Sequence, residues 1–278
     1  MATYEDQLFR TAIACLSTAF LLTAMLYGVS LLLIGLYFLS PTRPNDPVFV
    51  KSTVASLGIL ATAEIVILSF GIYHKIVDPF TPSQTLNVES MGGIILGVSL
   101  MAFIAQLFFA SRIWIVSSSR WLYAGPIVIL ALTQFGVALA QVITEANLDG
   151  INLFWSSVRF MSVQTGTTAL ADILSSIGLC YTLQSSRSGI SRTDAVIGKL
   201  MKYSIHRAIA TTAAAVLTVA LLVSISQTTA FMIPLLVSGQ LYVISVVSML
   251  LHRSKLRDLL HDRSDHLLTL PSSSRITS

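Results

Sequence analysis

The chain is poor in charge, in cysteine and in recognisable catalytic motifs. Only 11% of its 278 residues are Asp, Glu, Lys or Arg, against roughly 25% in soluble domains, which excludes a water-soluble globule. With 54% hydrophobic residues, disorder is excluded as well, except at the ends. Cys15 and Cys180 are the only cysteines, and both fall inside apolar runs. They are too few and too poorly placed for a disulfide framework or a zinc site. No Asn-x-Ser/Thr sequon points to a compartment, and no P-loop, nucleophile elbow or cluster of metal ligands occurs. No metal, cofactor or nucleic-acid partner is therefore expected.

What the chain has instead is long apolar segments. A spanning helix needs about 20 predominantly apolar residues, and seven stretches qualify, at about 11–39, 52–76, 92–116, 122–144, 160–184, 205–226 and 232–252. Met1 to Arg10 carries Glu5 and Asp6 where a cleavable signal would be positive, so the first run is expected to remain as a spanning helix. Pro41, Pro44, Pro47, Pro79 and Pro82 fall in the first two loops. Pro126 and Pro234 are expected in the first turns of the fourth and seventh helices, where proline is tolerated. The predicted fold is an all-α seven-transmembrane helix bundle over 1–255. A partly disordered cytoplasmic tail is predicted at 256–278.

Basic residues set the expected orientation. One side holds Arg43, Lys51, Arg112, Arg120, Arg187, Arg192, Lys199, Lys202, Arg207, Arg253, Lys255, Arg257, Arg263 and Arg275; the other holds Arg10, Lys75 and Arg159. Fourteen against three puts the N-terminus outside or in a lumen and the C-terminus in the cytoplasm. The plasma membrane and the endomembranes are equally compatible with this pattern. The fifth loop, 185–204, is basic and serine-rich. Beyond topology, it and the tail are candidate contacts for anionic lipid or a cytoplasmic partner, with Ser186, Ser188 and Ser191 as candidate phosphorylation sites. Arg253 to Leu260 has Leu256, Leu259 and Leu260 on one face and fits a short helix lying along the inner leaflet.

Two carboxylates interrupt the apolar runs. Glu64 and Asp172 each lie at the middle of a predicted span, where an acid costs roughly 2.5–3.5 kcal/mol. Asp172 shares its helical face with Thr165, Thr168, Ala169, Ser175 and Ser176, the polar stripe expected of a helix that lines a cavity or hydrogen-bonds to its neighbours. Glu64 shares its face with Leu57, Leu60, Ala61, Leu68 and Gly71. A lone acid in such a setting needs a proton or a partner. Gln106, Gln134 and Gln240 are predicted at similar depth and are candidate partners; as plain interhelical glue, such groups average about 0.6 kcal/mol. His206 and Arg207 are expected to open the sixth helix near the cytoplasmic boundary, too shallow for the midplane unless the helix tilts strongly. Gly93 and Gly97, and the small-residue run from Ala208 to Ala215, predict close helix packing.

Familiar seven-helix functions fit poorly. After the third span, Ser111-Arg112-Ile113-Trp114 lacks the acid-Arg-aromatic step of rhodopsin-like receptors, and the seventh span lacks N-P-x-x-Y. The seventh span also has no lysine for a retinal Schiff base. Uninterrupted spans disfavour a broken-helix transporter. By chemical analogy alone, small transmembrane terpene cyclases remain, with Asp172 and Glu64 as candidate acids acting on a lipid-soluble polyene.

Three stretches carry a resemblance. They are Gln106 through Trp114 followed by Trp121-Leu122; Ala171-Asp172 with Ser186-Arg187-Ser188-Gly189, Arg192-Thr193-Asp194, Ile197, Leu200 and Tyr203; and Leu241-Tyr242 with Ser245, Leu251 and Arg253. Together, over roughly residues 20–255, they resemble a group of seven-helix fungal membrane proteins that carry a domain of unknown function. The resemblance implies the seven-helix fold and topology, and it draws attention to Asp172, Gln106, Arg112 and Asp194. Relatives often carry Asp-Thr-x-His where this chain reads Ala61-Thr62-Ala63-Glu64, and an Asn where it has Ile244.

The leading functional expectation is a receptor-like sensor of a small lipophilic ligand, held by Asp172, Gln106, Gln134, Thr168 and Gln240. Its cytoplasmic basic surface would comprise Arg112, Arg187, Arg192, Lys199 and Lys202. The alternatives are a transmembrane enzyme with terpene-cyclase-like acid catalysis and a proton-coupled small-molecule carrier.

Overall fold

The computed structural model describes residues 2–39, 47–77, 88–116, 120–147, 151–185, 191–224 and 229–268. These form seven α-helices and, among the described residues, no strand: α1 (Ala2–Leu39), α2 (Val48–Val77), α3 (Val88–Val116), α4 (Arg120–Asn147), α5 (Ile151–Ser185), α6 (Ser191–Ser224) and α7 (Met232–Leu268). A 3-10 turn, Thr229–Phe231, leads into α7. Six helices are long and apolar enough to cross a membrane: all except α5.

Side-chain contacts fix an up-and-down order. Tyr27 bonds Thr62 between α1 and α2, Phe103 stacks on Phe135 between α3 and α4, and Glu145 meets Ser157 between α4 and α5, all in antiparallel register. α3 and α5 run parallel, since Ser99 pairs with Gln164 and Ile113 abuts Gly178 at the same offset. α3 and α7 form the centre of the bundle, with 61% of each spanning window buried against 17–28% in the other four.

Polarity is inverted relative to a soluble protein. Outward faces carry Met25, Leu32, Ile59, Phe70, Ile129, Ile143, Ile209 and Val216, whereas Glu64, Gln106, Gln134, Gln164, Asp172, Arg207 and Gln240 are buried. Interior hydroxyls cost little because many donate to a carbonyl one turn back in their own helix, as Thr165 does to Met161 and Thr218 to Ala214. α5 misses the apolar threshold because Gln164, Thr165, Asp172, Ser175 and Ser176 share one stretch, yet those side chains face inward while Leu170, Ile173, Ile177 and Tyr181 face outward.

Several boundaries differ from the sequence expectation. α6 begins at Ser191, so most of the predicted fifth loop, 185–204, is helix, and Arg187, Ser186 and Ser188 lie outside the described residues. α4 begins at Arg120, which puts Pro126 inside the helix rather than in its first turn. α7 runs unbroken to Leu268, so 253–260 continues that helix instead of forming a separate one. Residues 269–278 of the predicted tail lie outside the described residues.

Candidate functional site

Asp172 is the hub of a buried cluster joining α5, α6 and α7. The Tyr242 hydroxyl donates to its Oδ2 at 2.5 Å, and Arg207 Nη1 lies 3.2 Å from its Oδ1. Asp172, Tyr242 and Arg207 are 0%, 1% and 6% exposed, so the pair is shielded from any surrounding medium. The Arg207–Asp172 approach is a charge contact without hydrogen-bond alignment. Orientation comes from Nη2, which donates to Ser175 Oγ at 2.6 Å. The Ser175 proton is already spent on the Asp172 carbonyl, leaving lone pairs for the guanidinium. The guanidinium carbon also sits 3.9 Å from the Phe109 ring centroid, a cation–π contact that strengthens where water is excluded. A buried pair repays its desolvation only when such additional partners are present.

Arg207 is the residue that sequence reasoning missed. Expected at the mouth of the sixth helix, it lies sixteen residues inside α6, about 24 Å along its axis. The available signal was Ser191-Arg192-Thr193-Asp194, the S-x-x-D pattern of a helix start. With α6 begun there, Arg207 comes opposite Asp172, one turn from the Ser176–Ser204 bond that links the same two helices.

Glu64 belongs to a different network. Its Oε2 accepts from Gln240 Nε2 at 2.7 Å, and Gln240 Oε1 accepts from Ser30 Oγ at 3.0 Å, tying α2, α7 and α1 together. Gln240 and Tyr242 are two residues apart, about 3 Å of rise, and such positions do not face each other on a helix. The acids therefore lie at nearly one depth but are bonded to opposite sides of α7. The expected ligand set is divided in the same way. Gln106 Nε2 donates to Gln134 Oε1 at 3.0 Å between α3 and α4, Gln240 stays with Glu64, and Thr168 stands one turn before Asp172 on α5.

A cavity of about 30 Å³ adjoins the first cluster, with Gln134, Gln164, Thr168, Thr211, Ser238 and Tyr242 among the side chains in its wall. It lies toward the end where α5 and α7 begin, since Thr168, Thr211 and Ser238 are each one turn from Asp172, Arg207 and Tyr242 in that direction. Of the expected basic surface, Arg112 is half-buried with its guanidinium 5.0 Å from the Phe108 centroid, and Lys202 is exposed. Arg192, Lys199 and Asp194 fall within α6. Among the described residues, no three His, Cys, Asp or Glu side chains gather as metal ligands do.

Residues 168–255 match the model of a family of unknown function, DUF6534. The match begins at Thr168 and encloses the whole Asp172–Arg207–Tyr242 cluster. Glu64, Gln106 and Gln134 lie outside it. It covers a smaller part of the chain than the roughly 20–255 of the sequence resemblance. No curated protein and no solved structure matches the chain.

Proposed function

We propose that the chain is a seven-span membrane protein of the fungal group it resembles, with its N-terminus outside or lumenal and its C-terminus cytoplasmic. It acts as a receptor-like sensor of a small ligand held inside the bundle. The basic-residue asymmetry supports the orientation. The buried polar stripe and apolar outward face of α5, in register with α3 and α4, support its being the seventh span.

The observation that carries the sensor reading is the Asp172–Arg207–Tyr242 cluster beside a small cavity. Ionisable residues at this depth are costly and mark functional sites. An ion pair between α5 and α6, with the Tyr242 hydrogen bond adding α7, gives the three helices a packed arrangement that a ligand can bias toward another. The cytoplasmic ends of α6 and α7, with Arg112, Arg187, Arg192, Lys199 and Lys202, form the output surface toward anionic lipid or a cytoplasmic partner. The terpene-cyclase-like alternative needs both acids in one chamber, whereas they are bonded to opposite sides of α7. A cavity of about 30 Å³ lies far below the roughly 300–1,000 Å³ of ordinary small-molecule sites, so on either reading the bundle must widen to admit its ligand.

The test is the distance between spin labels at Lys202 and Leu251, measured in nanodiscs. Wild type should give one distance, and Arg207→Gln and Tyr242→Phe should each populate a second. Unchanged distributions in both folded variants would refute the switch.

A further inference from the structure

A second hollow, of about 260 Å³, lies on α6 and is lined by Gly198, Met201, Lys202, Ile205 and His206. Its depth follows from the contacts that join α5 and α6. Asp172 is level with Arg207, and Ser176 with Ser204. Nine residues further toward the same end on each helix, about 14 Å, Tyr181 comes level with Gly198. Aromatic pairs mark that level: Tyr181 lies against Tyr123 with ring centroids 5.3 Å apart, and Trp114 against Trp121 at 4.8 Å. Tyr181 and Trp121 are 60% and 77% exposed. Exposed tyrosine and tryptophan gather at the head-group level of a bilayer. Gly198 therefore lies among head groups, with Lys202 and His206 one and two turns deeper.

The chemistry of the hollow changes with depth. At the head-group end Gly198 has no side chain, and a Cβ there would meet nothing within 4 Å. Lys202 is exposed, and its flexible stem lets the ammonium rise into that open space. No acidic side chain lines the hollow among the described residues, and residues 187–202 carry Arg187, Arg192, Lys199 and Lys202 against the single acid Asp194. One turn below, His206 Nδ1 lies 2.8 Å from the Lys202 carbonyl, which holds the ring along the helix. Ile209, Ala213 and Val216 continue the same exposed face at three- and four-residue steps. Open space, a cation and then an apolar strip follow the order of phosphate and acyl chain in a glycerophospholipid.

We propose that this hollow seats an anionic glycerophospholipid, its phosphate between Gly198 and Lys202 and one acyl chain along Ile205, Ile209 and Val216. A water-soluble partner would meet the cation but not the strip beneath it, which lies at bilayer depth. The inference rests on the output-surface reading of α6 and specifies its partner. In nanodiscs with the same lipids in both leaflets, binding depends on neither the orientation of the protein nor its signalling, so the two readings fail separately.

The experiment places the full-length protein in nanodiscs of mixed phosphatidylglycerol and phosphatidylcholine with matched acyl chains. Native mass spectrometry then counts the lipids retained on the released protein. Wild type should be enriched in phosphatidylglycerol. Lys202→Gln should lower the enrichment about fivefold, the share of one basic residue near an anionic surface. Gly198→Leu leaves every charge in place but fills the hollow, and should lower it as well. Arg159→Gln, exposed at the opposite end of the bundle, should change nothing. Equal retention of the two lipids by wild type would overturn the proposal. So would full enrichment in Lys202→Gln, which leaves the hollow to a cytoplasmic partner, or in Gly198→Leu, which marks diffuse charge attraction without a seat.

Discussion

Replacing Arg207 with Met should be the most damaging conservative-volume change in the bundle. It leaves Asp172, fully buried, with Tyr242 as its remaining side-chain partner and removes the Nη2 bond to Ser175. Breaking one member of a buried pair costs about 3–5 kcal/mol, whereas replacing both members is far milder. Asn at position 172 still accepts from Tyr242, so Asp172→Asn combined with Arg207→Met should lose no more than about 2 kcal/mol. With either single change costing about 3–5 kcal/mol and the pair no more than about 2, the coupling between the two sites is at least about 4 kcal/mol, above the usual range for contacting residues. SDS unfolding in mixed micelles, followed by tryptophan fluorescence, gives the four corners of the cycle. Arg207→Met alone should shift the unfolding equilibrium by more than about 100-fold. Single variants within about 0.5 kcal/mol of wild type and additive in combination would show that the pair is an incidental contact, because coupled neighbours interact by more than that.

Three further outcomes follow from the same geometry. Gly239→Ala should destabilise the bundle by about 1–3 kcal/mol, since a Cβ there would lie 3.0 Å from Met101 Cε and 3.3 Å from Glu64 Oε1; wild-type stability in the same unfolding assay would contradict this. Glu64→Gln, which keeps an acceptor for Gln240, should cost less than about 1 kcal/mol, while Glu64→Leu orphans that amide and should cost about 1–3 kcal/mol. With Cys15 and Cys180 changed to Ser, a cysteine at Ser274 should react with an impermeant maleimide only after cells are opened. Labelling of intact cells would reverse the proposed orientation.

The apolar runs made the helices legible, because a sustained run of twenty such residues has few other uses. Their ends were less legible: α6 and α7 extend past the apolar stretch into polar sequence and α5 into mixed sequence from Ile151, where hydropathy gives no sharp boundary. The polar stripe around Asp172 was readable from three- and four-residue spacing, whereas of the three glutamines offered as partners Gln240 bonds Glu64 while Gln106 and Gln134 bond each other. The division of the acids between two networks was not readable. It depends on which face of α7 each side chain meets, a property of helix rotation that no single segment encodes. Arg207 was hidden for a related reason, since its depth is measured from a helix start that the apolar run does not mark.

The bonds on the two sides of α7 also limit how that helix can move. Gln240 is held toward α2 and α1, and Tyr242 toward α5. A turn of α7 about its axis in either sense draws both side chains off their partners together, and an axial slip of one residue, about 1.5 Å, does the same. Neither bond can be released gently while the other is kept by rotation alone. Both networks are thus anchored on one helix, and any rotation of α7 loads the Glu64 and Asp172 bonds together.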